Sequence, residues 1–288
     1  MIYRLAEAAI TPAELEEYLA KQVLQGCLGL EPQSRGWVPP GREEVDLVYS
    51  YGQQILIALG IEKKLLPASV VNQLAKIRAQ EMELHQGYAP GRKQMKEIKE
   101  AAYRELLSRA FAIRQRGHVW IDPVDGWFIV EGTSTAKADV LVEAFIKSTG
   151  VGLERIRTNT TPTAAMTAWL SGDEPPSIFS IDSDSVFRSR EDKKVLVSYI
   201  RQSPDSQEIN RHIRIGKEVI KLAMTWRDKI SFVLDENLQL KRLTLLDLDR
   251  EPAETAEEQF DSDFFLMTGE LRQLLPELVD ALGGADGE

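Results

Sequence analysis

Arg92, Lys96, Lys99 and Tyr103 follow one another at steps of four, three and four residues. On a helix of 3.6 residues per turn that spacing puts three cations and an aromatic on one narrow face. Lys93 adds a charge in the same turn. Met95, Ile98, Ala102 and Leu106 form the neighbouring apolar face. Cations in the first turn oppose the helix macrodipole at roughly a few tenths of a kcal/mol each. Arg92 and Lys93 therefore stand where stability alone would favour Asp or Glu. The partner such a face suits is a polyanion, and the bland alternative is a solvated face laced with Glu97 and Glu100.

A second group could do chemistry rather than binding. Asp182 and Asp184, followed by Glu191 and Lys193, resemble the pattern of a metal-dependent nuclease, in which carboxylates hold Mg²⁺ and a lysine orients the attacking water. The pattern is short and is expected in a polar loop, so it ranks well below the basic helix. Asp261 and Asp263 read as solvated. Gly150-Val151-Gly152 lacks the third glycine of a dinucleotide loop, there is no P-loop, and Gly132-Thr133-Ser134 reads as the start of a helix. Cys27 is the only cysteine, and His85, His118 and His212 have no ligand spacing. No catalytic residue, metal or cofactor is expected.

The 288 residues, 43% hydrophobic and 28% charged, suit a soluble protein of two or three sub-domains. No apolar run approaches the roughly 18 residues of a membrane span, and the start of the chain lacks a signal-peptide pattern. The expectation is a cytoplasmic protein with no membrane partner. A net charge of −10 argues against nucleic acid until it is resolved along the chain. Residues 76–116 and 187–242 each carry a net charge of +5, between segments of −5, −6 and −11. Such alternation lets an acidic protein present a positive surface in one place.

The elements that must carry these residues follow in order. Ile2 to Ala6 reads as a strand, and Thr11-Pro12 opens a helix to about Leu24. GWVPPG (36–41) reads as a rigid turn holding a tryptophan, and Ile55 to Leu59 as a buried strand. Pro67 starts a helix carrying Val70, Val71, Leu74 and Ile77; with the basic helix it makes a protruding helical hairpin, 67–114. Val119 to Asp122 and Trp127 to Glu131 form a β-hairpin. Helices follow from Thr135 to Thr149 and from Thr161-Pro162 to Gly172. Ile178 to Ile181 and Lys194 to Ile200 read as strands, the latter buried on both faces. Asp205 and Glu208 have the spacing of a capping box for a long helix, with Ile209, Ile213, Gly216, Ile220 and Ala223 inside and Arg214, Lys217 and Lys221 as a second basic stripe. Ser231 to Leu234 and Leu238 to Leu246 form a hairpin whose apolar phase slips at Lys241-Arg242, where a bulge would re-aim a side chain. Asp247 to Glu258 is an acidic connector. Thr268 caps a last helix, kinked at Pro276.

Several runs together carry a resemblance: Arg109-Ala110-Phe111 followed by Trp120-Ile121-Asp122, GWVPP near the start, INRHIRIGKEVIKLAMTWRDKISFVL (209–234) with Lys241-Arg242-Leu243, FDSDFFLMTGEL (260–271) and the final ALGG. They are similar to the RdgC family of bacterial recombination-associated proteins over nearly the whole chain. Relatives usually begin with a few more residues, including a Trp-Phe pair, and often have proline where this chain has Ser108. The resemblance implies an α+β fold with mixed or antiparallel sheets, packed helices and a protruding helical hairpin, in a horseshoe monomer. It divides the chain into a central part (1–66 with 117–160), a helical tip (67–116) and a base (161–288). Two horseshoes are expected to close into a homodimeric ring around duplex DNA, bound without sequence preference, with single-stranded DNA as a further ligand. The coated DNA, nucleoid-associated, would limit loading of the RecA recombinase. Phe111 would sit at one ring-closing contact, and Arg201-Gln202 would contribute to DNA binding. A Mg²⁺-dependent nuclease built on Asp182, Asp184, Glu191 and Lys193, and an acidic protein-binding scaffold, are the alternatives.

Overall fold

The computed structural model describes residues 1–6, 10–41, 45–132, 134–172, 174–202, 205–246 and 255–286. Two sheets organise them, and every strand pairing within the sheets is antiparallel, which makes an α+β architecture. The first sheet contains β1 (Ile2–Leu5), β2 (Gln33–Val38), β3 (Val48–Tyr51), β4 (Gln54–Lys64), β5 (Ala112–Asp122), β6 (Trp127–Val130) and β7 (Leu153–Arg155). Its order is β2-β4-β5-β6-β1-β7, with β3 sharing the edge of β4 with β2.

Helix α1 (Pro12–Ala20) begins as its sequence prescribes. The Glu14 carboxylate accepts the Thr11 N–H at 3.0 Å, and the Thr11 hydroxyl accepts the Glu14 N–H at 3.3 Å. It stops short of Leu24 because the next residues are used by β2. Gln22 accepts the Trp37 N–H at 2.8 Å and Leu24 donates to the Trp37 carbonyl at 3.1 Å. The tryptophan expected in a turn is thus in a strand, 1% exposed, its indole N–H donating to Ser148 Oγ at 2.9 Å. Gly36 permits the approach, since a Cβ there would lie 2.4 Å from the Leu24 nitrogen.

Between β4 and β5, whose pairing runs out to Lys64 opposite Ala112, the chain leaves as α2 (Ala68–Gln86) and returns as α3 (Arg92–Arg109). Gly87, at φ +80°, ends α2 in the left-handed conformation that glycine tolerates. The two helices share a small core of Ala75, Ile98 and Ala102 with Val71, Leu74, Met82 and Met95 packed around it. Val70 and Ile77 are exposed, as is Tyr88 at the far turn.

Helix α4 (Thr135–Thr149) covers one face of the first sheet with α1, over a core that includes Leu15, Trp37, Ile57, Phe128 and Phe145. After it come α5 (Pro162–Ser171), β8 (Phe179–Ser189), β9 (Leu196–Tyr199), α6 (Ser206–Arg214), β10 (Lys217–Trp226), β11 (Ile230–Asp235), β12 (Leu240–Leu245) and α7 (Ala256–Ala281). The second sheet has the order β12-β11-β10-β8-β9.

Three expectations are corrected here. The long helix from Asp205 through Ala223 is a short α6 followed by a strand. Gly216, at φ +76°, turns the chain, and Val219, Leu222, Met224 and Trp226 enter the core from β10. β9 is the last strand of its sheet, so Leu196 and the flanking Ile200 are exposed rather than buried on both faces. Thr268 is an interior residue of α7, its hydroxyl donating to the Phe264 carbonyl at 2.8 Å; the cap is Thr255, which accepts the Glu258 N–H at 3.1 Å. Pro276 lies within α7. The bulge at Lys241-Arg242 is present: Ser231 pairs with Thr244 and Val233 with Lys241, leaving an extra residue on β12, and Arg242 takes φ +52°. Most of the acidic connector, 247–254, and Thr133 lie outside the described residues.

Helix α7 belongs to both sheets. Tyr49 and Tyr51 of β3 meet Phe260, Phe264 and Phe265 edge-on, and Arg272 pairs with the fully buried Asp122 at 2.8 Å. From the second sheet the Trp226 indole donates to Glu277 at 2.6 Å and Lys229 pairs with Glu270 at 2.7 Å. Leu274, Leu275 and Leu278 lie in one apolar cluster with Ile2, Leu56 and Trp120 of the first sheet and Phe232 and Leu234 of the second. No described helix is long and apolar enough to cross a membrane.

Candidate nucleic-acid interface

The α2–α3 hairpin presents its cations outward. Arg92, Lys93, Lys96 and Lys99 are all exposed, and the inward positions of α3 go to Ile98, Ala102 and Leu107, the last in place of the expected Leu106. Gln94 caps the helix by accepting the Gly91 N–H at 2.9 Å, so the start of α3 needs no acidic residue. Among the described residues the one ion pair made by these four cations is Lys96 with Glu100, at a loose 3.9 Å. The hairpin is held instead by Arg78 of α2 and Glu105 of α3. A face whose charges do no structural work is free to neutralise phosphates.

The cations of the second sheet are differently placed. Arg214, at the last position of α6, is exposed. Lys217 opens β10 and lies 3.3 Å from His212 Nδ1, while Tyr199 Oη lies 2.8 Å from His212 Nε2. Burial and the neighbouring Lys217 charge lower the His212 pKa. Lys221 stands opposite Asp235 in the β10–β11 ladder. These three do not form a helical stripe, because the helix ends before Lys217.

Lys241 and Arg242 at the bulge both meet carboxylates. Lys241 pairs at 2.7 Å with Asp235, which is buried and also accepts the N–H groups of Asn237 and Gln239. Arg242 reaches Asp184 of β8 at 3.1 Å. The other oxygen of Asp184 accepts the main-chain N–H of Arg201 at 2.7 Å. Arg201 and Gln202 are exposed in the turn after β9, with Arg201 at φ +57°. Asp235 was not singled out in the sequence, and Asp184 was singled out there for metal binding rather than as the partner of Arg201 and Arg242. Only their places across a twisted sheet could have shown these pairings.

Asp184 is also one of the four residues considered for metal-dependent hydrolysis. The loop expected for all four holds only Glu191 and Lys193, both exposed before β9; Asp182 and Asp184 are in β8, where Asp182 accepts from the Thr225 hydroxyl at 2.9 Å and Asp184 is engaged by Arg201 and Arg242. Among the described residues no three His, Cys, Asp or Glu side chains come together as metal ligands. Asp261, read as solvated, accepts from the Tyr49 hydroxyl at 2.6 Å and helps dock α7.

Phe111, directly after α3, is 86% exposed, so it is no part of this chain's core. Its carbonyl accepts the Leu65 N–H at 2.7 Å, which fixes the backbone at the foot of the hairpin. Leu65 and Ile113 beside it are exposed too.

Residues 1–285 match the family model described as "Putative exonuclease, RdgC". The chain is 49% identical over 289 aligned residues to the recombination-associated protein RdgC of Herminiimonas arsenicoxydans, covering 98% of this chain and 96% of that one. It is 48% identical to the protein of the same name from Janthinobacterium sp. (strain Marseille), and 47% identical to that of Bordetella pertussis, with the same coverage in each case. Identity at this level along almost the full length of both chains leaves one assignment: the chain belongs to the RdgC family.

Proposed function

We propose that this protein binds double-stranded DNA without sequence preference, as a homodimeric ring of two horseshoe-shaped copies around the duplex, and that it limits RecA-mediated recombination by occupying the DNA. The observation that carries the reading is the outward face of α3, where Arg92, Lys93, Lys96 and Lys99 are exposed and none is needed to hold the hairpin. Arg201, Gln202, Arg214, Lys217, Lys221, Lys241 and Arg242 extend the DNA-binding set on the second sheet. The names of the relatives fit a role in recombination. The exposure of Phe111 fits a contact between copies, with the hairpin as the tip, residues 1–66 and 117–160 as the centre and 161–288 as the base. The protein acts in the cytoplasm on nucleoid DNA, binds without cutting, and takes single-stranded DNA as a further ligand.

A titration on linear and circular duplex, with Mg²⁺ present or chelated, tests this. If the basic residues neutralise about 6–10 phosphates, affinity falls by roughly 10³ to 10⁵ between 50 and 200 mM salt and hardly varies with base sequence. A salt-independent affinity, or a strong preference for one sequence, overturns the reading. Cleavage products in Mg²⁺ would return the activity to the nuclease that the family description names.

A further inference from the structure

The pairing of β5 with β6 ends at Val119 opposite Val130, with one further bond from the Glu131 N–H to the His118 carbonyl at 2.9 Å. Beyond it β5 has β4 on one side only. By the alternation of the ladder, the N–H and C=O of Arg116 face the open side, whereas the His118 carbonyl on that side is already taken by Glu131. Against this edge stands β12 of the second sheet, and between them is a cleft of about 730 Å³. That volume is in the range of small-molecule sites. Its walls are apolar: Ile129 on one side, Leu240 and Leu243 on the other, with Leu271 and Leu275 of α7 behind.

The mouth is cationic. Arg116 donates to the carbonyls of Pro40 and Gly41, at 2.9 and 2.8 Å, and Lys137 is exposed on the first turn of α4; neither has a carboxylate partner among the described residues. The Glu131 carboxylate at the rim is occupied by His118 at 2.6 Å, and that hydrogen bond, opposed by partial burial, holds its pKa down. Lys241 and Arg242 at the far side are neutralised by Asp235 and Asp184. Two uncompensated cations, two apolar walls and an open strand edge with donors and acceptors match three parts of one ligand: a phosphate, the faces of a planar ring, and that ring's polar edge.

We infer that this cleft is a nucleotide site, taking a single nucleoside monophosphate with the phosphate at Arg116 and Lys137 and the base between Ile129 and Leu243. The nucleotide comes either free or as the end of a single strand, and the chemistry is the same. The site is separate from the duplex-binding face of α3.

Equilibrium dialysis of labelled thymidine 5′-monophosphate against the full chain tests it. Saturable binding is expected at one nucleotide per chain, with thymidine and inorganic phosphate each competing roughly tenfold or more weakly, since each lacks one half of the recognised groups. Lys137→Glu should weaken binding roughly tenfold or more, as expected for losing a charge-assisted contact. Ile129→Trp should block the cleft, and neither variant should alter duplex affinity more than about twofold. If Ile129→Trp lowers the melting temperature, Lys137→Glu on its exposed helical turn decides. A 5′-phosphorylated oligothymidylate that binds more tightly than the mononucleotide identifies a strand end as the source, and weaker binding identifies the free nucleotide. Absence of saturable binding, inorganic phosphate competing as well as the nucleotide, or unchanged affinity in Lys137→Glu would each overturn the assignment.

Discussion

The Asp184 carboxylate on β8 accepts the main-chain N–H of Arg201 at 2.7 Å, and so braces a non-glycine residue held at φ +57°. Left-handed backbone is costly for a residue with a Cβ and persists where its surroundings over-determine it. The second oxygen of the same carboxylate takes Arg242. One acid therefore positions two cations of the proposed DNA surface and cancels part of their charge.

Asp184→Asn separates these effects. The amide keeps an acceptor oxygen for the Arg201 N–H and removes the charge. Duplex affinity at low salt should rise roughly two- to fivefold, the scale of one exposed ion pair. The salt slope should steepen by about one unit as Arg242 becomes available to a phosphate. Fluorescence anisotropy across a salt series reads both, and a drop in affinity would show that the pairing itself is needed for binding.

Lys96→Glu with Lys99→Glu, and separately Arg201→Glu, should lower duplex affinity and flatten the salt slope by about one unit per lost phosphate contact. Melting temperature and self-association should hardly move, because all three side chains are exposed. Inhibition of RecA strand exchange should fall in proportion to binding. A variant that no longer binds DNA yet inhibits fully would place the action on the recombinase itself, with the acidic segment from Asp247 to Asp263 as the place to test.

Phe111→Ala should leave the stability of the single chain within about 0.5 kcal/mol, as for other surface positions. Association measured by sedimentation should weaken, and retention on circular DNA with it. A loss of roughly 3 to 5 kcal/mol, the size seen for core phenylalanines, would contradict the exposed position.

His212 supplies a pH dependence. It packs against Phe187, accepts from Lys217 at Nδ1 and donates to Tyr199 at Nε2; Glu208 and Arg211 of its own helix are the other nearby charges. Its folded pKa lies below the ordinary 6.5, so as pH falls beneath 6.5 the unfolded chain takes up the proton first and stability is lost until the folded value is passed. Chemical denaturation at pH 7.5 and 5.5 should show a smaller acid loss in His212→Gln than in the parent. Equal losses would mean that this imidazole does not titrate differently on folding.

Features that rest on local chemistry were legible in the chain. The Thr11-Pro12-Glu14 start, the span Thr135–Thr149 closed by Gly150, and the bulge at Lys241-Arg242 each follow from residues within a few positions of one another. The basic face of α3 was readable for the same reason. Ile209, Ile213, Gly216 and Ile220 misled because their helical spacing continues across Gly216, where the backbone reverses hand and the β-branched Val219 and Ile220 enter a strand. Trp37 was placed in a turn because its partner is residue 22–24, a pairing no window on GWVPPG contains. The bracing of Arg201 and Arg242 was out of reach altogether: Asp184 is 17 and 58 residues away from them, and sheet order alone brings the three together.

Helix α7 follows every strand of both sheets in the chain, yet it supplies leucines to an apolar cluster that both sheets share. During synthesis the two sheets therefore emerge from the ribosome before the α7 leucines that complete their shared apolar cluster, and at roughly 5–20 residues per second the wait lasts seconds. The buried Asp122 likewise has no Arg272 until then. Assembly is consequently gated by one late helix, and the nascent chain up to about residue 250 is the species that chaperones would need to hold.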